Sequence, residues 1–195
     1  MTSQIYDSVM RGLREIAAPG ERQGLTIEGF RRAGVLVPLV IGGRKPELLF
    51  TKRTDEVESH KGQISFPGGM TDTGDVDIVE TALREAREEL GITASAVTVR
   101  GILDDLAVPS GFIITPVVGT LEALPPLTPN PAEVAEAFTV PLEFFCNPKN
   151  GRSEMRELHG MKREVWFYDH REHTIWGATA MIVRSLVVKM GMLEA

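Results

Sequence analysis

A single cysteine, Cys146, stands among the 195 residues, so no disulfide can close within the chain. A lone thiol reads first as a small buried hydrophobe, with a reactive thiol as the alternative, and a reducing cytoplasm suits it. Basic excess is also missing. The formal charge of -6 argues against a general nucleic-acid binder, which needs a clustered basic surplus. Apolar runs are short: the longest, from Ala33 to Gly43, falls well below the ~20 residues that span a bilayer and reads as a core strand. The opening MTSQIYDSVMRGLREIAAPG is amphipathic but carries acids and lacks the apolar centre of a secretory signal. The closing MLEA bears no retention or peroxisomal address. The expectation is a soluble, cytoplasmic protein without a membrane partner. Histidines number four, His60, His159, His170 and His173, and none has zinc-ligand spacing backed by cysteines. Repeats and low-complexity tracts are lacking too.

What is present is ordinary for an enzyme. A hydrophobic content of 43% can fill one core, so residues 1–195 are expected to form a single domain with an N-terminal helical extension over about 1–32. Patterning predicts a helix near 3–17 and a polar linker to about 32. A hairpin of strands near 34–41 and 47–52 follows, turning at Gly-Gly-Arg-Lys-Pro. Further β-type runs lie near 97–106, 112–121, 134–140, 152–158 and 163–168, with a short helix at 141–147 and a closing one at 177–192. Pro125, Pro126, Pro129 and Pro131 make 124–132 a stiff surface connection. Pattern alone supports a sheet layer with helices on it. Trp166, Phe167, Trp176 and Phe112 could stack on a base, with core packing as the default.

The most informative stretch is FPGGMTDTGDVDIVETALREAREELGI, residues 66–92. Its second half predicts a helix over about 77–90, with Asp77 as N-cap and Gly91 as a left-handed stop. At roughly 100° per residue, Glu85, Glu88 and Glu89 share an arc of about 100°. Such crowding is costly without a cation, and several carboxylate oxygens at one point suit Mg2+ or Mn2+. A solvated, salt-bridged helix face is the competing reading. Against it, Val79, Leu83, Ala86 and Leu90 form an apolar stripe, so the acidic edge borders the buried face. Arg84 is i,i+4 to both Glu80 and Glu88 and can hold one carboxylate while freeing others.

These residues resemble the Nudix hydrolase box, Gly-x5-Glu-x7-Arg-Glu-U-x-Glu-Glu-x-Gly-U, with U aliphatic. Gly69, Arg84, Glu85, Ala86, Glu88, Glu89, Gly91 and Ile92 match. Arg84 falls one residue late, and Asp75 stands in the place of the early glutamate, so it is kept out of the metal set. Residues 49–69, LFTKRTDEVESHKGQISFPGG, resemble the segment preceding the box in Nudix enzymes acting on coenzyme A, through Thr51, Arg53, Gly62, Phe66, Pro67, Gly68 and Gly69. Glu58 occupies a place where that subgroup has arginine, a charge reversal. GFIITPVVG at 111–119 and IWGATA at 175–180 are similar to further stretches of the subgroup.

The resemblance implies an α/β/α sandwich with a mixed sheet, in which the box forms a loop, helix and loop. It implies hydrolysis of a pyrophosphate in a nucleoside diphosphate derivative, with Mg2+ or Mn2+ held by Glu85, Glu88 and Glu89 and oriented by Arg84. Coenzyme A or a derivative is the specific expectation; ADP-ribose, NADH or dinucleoside polyphosphates are alternatives, as is a binding module that has lost the chemistry. Glu133, then Glu136, is the candidate distal acid, an exposed loop carboxylate being the plainer reading. Arg53, His60, Lys61, Gln63, Gly68 and Gly69 are expected at the substrate. The partner is a small nucleotide, and a homodimer is compatible.

Overall fold

The computed structural model describes residues 2–16, 22–54, 62–158 and 161–194. Strands β1 (Arg31–Val40), β2 (Glu47–Arg53), β3 (Ile64–Ser65), β4 (Gly68–Met70), β5 (Thr98–Ile102), β6 (Leu106–Val108), β7 (Phe112–Leu121) and β8 (Val134–Pro141) form one mixed sheet. The expected hairpin is there, with Leu39 opposite Leu48 in an antiparallel pair. Its first strand runs parallel to β7 from Arg31↔Phe112 to Val40↔Leu121. Parallel strands are buried on both faces. That explains why Ala33–Gly43 reads as a continuous apolar run and not as an alternation.

One face of this sheet carries helix α2 (Ile78–Leu90), whose Ala82, Ala86 and Leu90 pack with Leu36, Val40, Leu49, Val117 and Leu121. On the other face lie α1 (Thr2–Gly12), α3 (Leu142–Phe145), α4 (Gly177–Lys189) and a three-stranded antiparallel sheet of β9 (Gly151–Leu158), β10 (Met161–His170) and β11 (His173–Trp176). There Phe50 meets Phe66, Phe138 and Phe145 in a run of ring contacts. Each side chain buried completely in this way adds about 1.5–3 kcal/mol relative to exposure. The result is a sheet layered between helices, the α/β/α expectation.

Three features differ from the sequence reading. The run at 97–106 is two strands: pairing with β7 reaches Ile102 and resumes at Leu106, and in the gap Asp105 N donates to the Gln23 carbonyl instead. The late strands build a second sheet instead of extending the first. Strands β3 and β4 have too few residues to show a period. The stretch before β1 is also anchored, since Asp105 accepts from Leu25 N at 2.8 Å, Thr115 Oγ1 at 2.7 Å and Arg22 Nε at 3.1 Å. Cys146 is partly buried, its Sγ donating to the Leu142 carbonyl, and burial pushes its thiol up to about 11.

Helix α2 lies close on β1 where the strand has no side chain. A Cβ at Gly34 would stand 2.8 Å from the Ile78 carbonyl oxygen and 3.1 Å from Thr81 Cβ. Gly34→Ala is therefore expected to cost about 1–3 kcal/mol of stability in urea unfolding. A loss within experimental error would mean that α2 is free to shift.

Candidate active site

Local sequence fixes the ends of α2. Asp77 Oδ1 accepts from Glu80 N at 2.9 Å, and Gly91, at φ 73°, closes the other end with Ile92 N donating to the Ala86 carbonyl. Glu80 does not reach Arg84 as expected; it accepts from Val76 N at 2.6 Å and helps cap the helix. The carboxylate that holds Arg84 is Asp75, through Nε at 2.9 Å and Nη2 at 3.1 Å. The remaining donors of the guanidinium reach Glu85 at 2.8 Å, Glu88 at 3.1 Å and the Met70 carbonyl at 2.9 Å. This fork holds the Asp75 carboxyl well below the usual carboxylate range and raises the guanidinium further.

Strand β4 brings Gly68 and Gly69 against the helix, pinned by Leu36 N donating to the Pro67 carbonyl at 2.9 Å. A Cβ on Gly69 would stand 2.5 Å from the Glu85 carboxylate, so this position must be bare for Glu85 to sit there. Glu89 is only 5% exposed and accepts from the Gly68 N–H. Burial, aided by the nearby charges of Glu133 and Glu85, pushes its carboxyl up to about 8, while Arg53 pulls the other way. Glu85 is raised for the same reason, burial first, against the pull of Arg84.

Glu133 comes from the proline-containing connection, which is tied to the end of α2. Thr128 N donates to the Leu90 carbonyl at 2.9 Å and Asn130 N to that of Glu89 at 2.8 Å. Asn130 Nδ2 then holds Glu133 Oε1 at 3.2 Å. At the end of β2, Arg53 has a buried Nε without a hydrogen-bond partner among the described residues. Its backbone N donates to the carbonyl of Gln63 at 3.0 Å.

Glu85, Glu89, Glu133, Arg53, Gly68 and Gly69 therefore share one place, and Gln63 borders it through its backbone. Glu88 is 47% exposed and turned toward Arg84. His60 and Lys61, with Glu58, lie outside the described residues. Glu136 is elsewhere, against His173 on the other face of the sheet. Trp166, Phe167 and Phe112 are each covered by an arginine of the chain, and Trp176 stacks on Phe167. Asp75 was left without a role by sequence reasoning, although its place in the box marked it.

The residues fit a divalent cation. Buried carboxylates outnumber the cations facing them, and Glu89 keeps its charge at neutral pH only with added positive charge nearby. Among the described residues their oxygens are not drawn within 4.8 Å as a group of three, a spacing seen at another cluster.

The NUDIX domain profile matches residues 30–159. A protein described as an uncharacterized Nudix hydrolase NudL, from Photorhabdus laumondii, is 42% identical over 182 residues, covering 93% of this chain and 95% of its own. The chain belongs to the Nudix family. A Yersinia pestis NudL is 40% identical over 80% of this Nudix chain and 78% of its own. The fold is shared with a MutT/nudix family protein from Enterococcus faecalis, at TM-score 0.53 and 14% identity over 85% of this chain and 64% of that one. It is shared likewise with DR0079 of Deinococcus radiodurans, at TM-score 0.53 and 17% identity over 82% and 86%. This Nudix chain is accordingly a pyrophosphohydrolase, of a family that uses divalent metal. No helix among the described residues is long and apolar enough to cross a membrane.

The raised carboxyl of Glu89 gives the Nudix chain a pH-dependent stability. A carboxyl at 4.5 when unfolded and about 8 when folded favours the fold fully below about pH 4.5, and that contribution is lost as pH rises toward 8. Chelator-treated protein should therefore lose stability across this interval, and Glu89→Gln should flatten the loss. Parallel urea-midpoint profiles for the two proteins would refute it.

Proposed function

We propose that this enzyme cleaves the pyrophosphate of coenzyme A or a derivative, giving adenosine 3′,5′-bisphosphate and 4′-phosphopantetheine. The observation that carries the reading is Arg53, whose buried Nε lacks an acceptor among the described residues, beside the buried Glu89 carboxylate. A buried donor without a partner is costly, and a diphosphate oxygen would complete it. Arg53 lies in the segment that resembles coenzyme A enzymes.

Glu85, Glu88 and Glu89 would hold Mg2+ or Mn2+. The ion supplies charge neutralisation at phosphoryl oxygens and a bound water of lowered pKa. Arg84, fixed by Asp75, orients Glu85 and Glu88. Glu133 takes the proton of the attacking water, oriented by Asn130. Gly68 and Gly69 bring backbone close to the phosphates, and Arg53, His60, Lys61 and Gln63 contact the substrate. Residues 1–195 work as one unit, with Val9 and Leu13 from the N-terminal stretch buried in its core. A reducing cytoplasm suits the lone thiol. Glu58 in place of arginine supports a second reading, in which ADP-ribose, NADH or a dinucleoside polyphosphate is preferred.

Comparing kcat/KM for coenzyme A, ADP-ribose and NADH in excess Mg2+ or Mn2+ tests the substrate. Coenzyme A should rank first; if it ranks last, the second reading stands. Glu89→Gln should lower kcat by about 100-fold or more, and chelation should abolish turnover. Arg53→Lys should raise KM about tenfold with less effect on kcat. Unchanged turnover in Glu89→Gln would remove the role of the acidic edge.

A further inference from the structure

Three side chains outside this site place their ligand atoms within 4.8 Å of one another: Glu136 on β8, Glu172 in the β10–β11 turn, and His173 at the start of β11. His173 is only 6% exposed. Its ring lies flat on Phe138, centroids 3.7 Å apart and planes 4° from parallel, so its direction is fixed by packing. Nε2 points at Glu136 and stands 3.2 Å from each carboxylate oxygen.

As drawn, Nε2 and the carboxylate are at hydrogen-bond distance. Turning the Glu136 carboxylate aside from Nε2 opens room for an ion between them, because nitrogen and oxygen at about 2.0–2.2 Å from a common metal lie roughly 3.0–3.5 Å apart. Glu172 is exposed and can close the remaining gap by rotating its side chain.

We propose that Glu136, Glu172 and His173 form a second cation site, which takes a borderline divalent ion of the zinc class. One imidazole with two carboxylates favours zinc over magnesium, which prefers oxygen and water. The site is distinct from the acidic edge of α2. Glu136 pairs with Lys52 and shares its face with Phe138 and Val140, whereas Ala137 and Val134 pack on the α2 side. His170, opposite His173 in register, turns its ring to Phe144 and is not a ligand. The ion joins β8 to the three-stranded sheet, so its binding free energy stabilises the contact between the two sheets. Sequence spacing hid the site because its ligands come from two strands far apart in the chain.

The test uses the full chain, stripped by chelator and returned to excess Mg2+ so that the acidic edge is occupied, then equilibrated with zinc. Zinc should bind stoichiometrically, raise the thermal midpoint, and shift the Nε2 nitrogen resonance of a single histidine. Glu172→Gln, an exposed change that leaves the core alone, and His173→Gln should each weaken zinc about tenfold or more. Glu85→Gln should not. No zinc uptake, uptake unchanged in both variants, or uptake lost only in Glu85→Gln would each overturn the proposal.

Discussion

The acidic edge depends on the Arg84 guanidinium and its grip on Asp75. Without that grip, three carboxylates would face one another along a single helix edge, and their repulsion would be relieved by turning outward. Asp75 takes two donors of the fork, so the guanidinium cannot follow Glu88 into solvent. Glu85 is thereby held inward, in the space that Gly69 leaves bare. The Met70 carbonyl uses a further donor and ties the same group to β4. One side chain thus joins the loop, the helix and the strand that make up the box.

Glu89 represents the opposite condition. It is buried, receives a backbone N–H from Gly68, and faces two other acids with Arg53 as its nearby cation. Folding alone would favour a neutral residue there. A buried carboxyl raised to about 8 is stable protonated, and becomes a good ligand only when a cation restores its charge. On the proposed function, the stability given up at this position would make the site responsive to metal.

How much of this could be read from the chain depends on how local each signal is. The boundaries of α2 were readable because Asp77 and Gly91 act on backbone within one helical turn. Strands β1 and β7 were readable because their parallel pairing buries both faces and leaves long apolar runs. Strands β3 and β4, of two and three residues, have no period to detect, and exist because β2 and β1 offer them partners. The break between β5 and β6 falls where Asp105 turns to Gln23 and Leu25, partners about 80 residues earlier that no pattern within 97–106 encodes. Spacing offers Arg84 both Glu80 and Glu88; Glu88 makes the contact, while Glu80 accepts from the Val76 N–H at the helix start. Glu133 was found as an acid following a stiff loop; its approach to Glu89 comes from backbone bonds between that loop and the end of α2.

The same backbone bonds explain why β8 matters beyond its place in the sheet. Its N-terminal end is held by Thr54 N, which donates to the Glu133 carbonyl at 3.1 Å, and by the Asn130 turn against α2. Within the strand, register with β2 then decides which way each side chain points. The irregularity between Lys52 and Arg53 lets Val134 oppose Arg53 while Glu136 opposes Lys52. Glu133, which precedes the strand, is directed toward Glu89 by the Asn130 turn, and Glu136 within the strand toward His173. The irregularity places Val134 and Ala137, three residues apart, on the same α2 side, where a regular strand would send them to opposite faces.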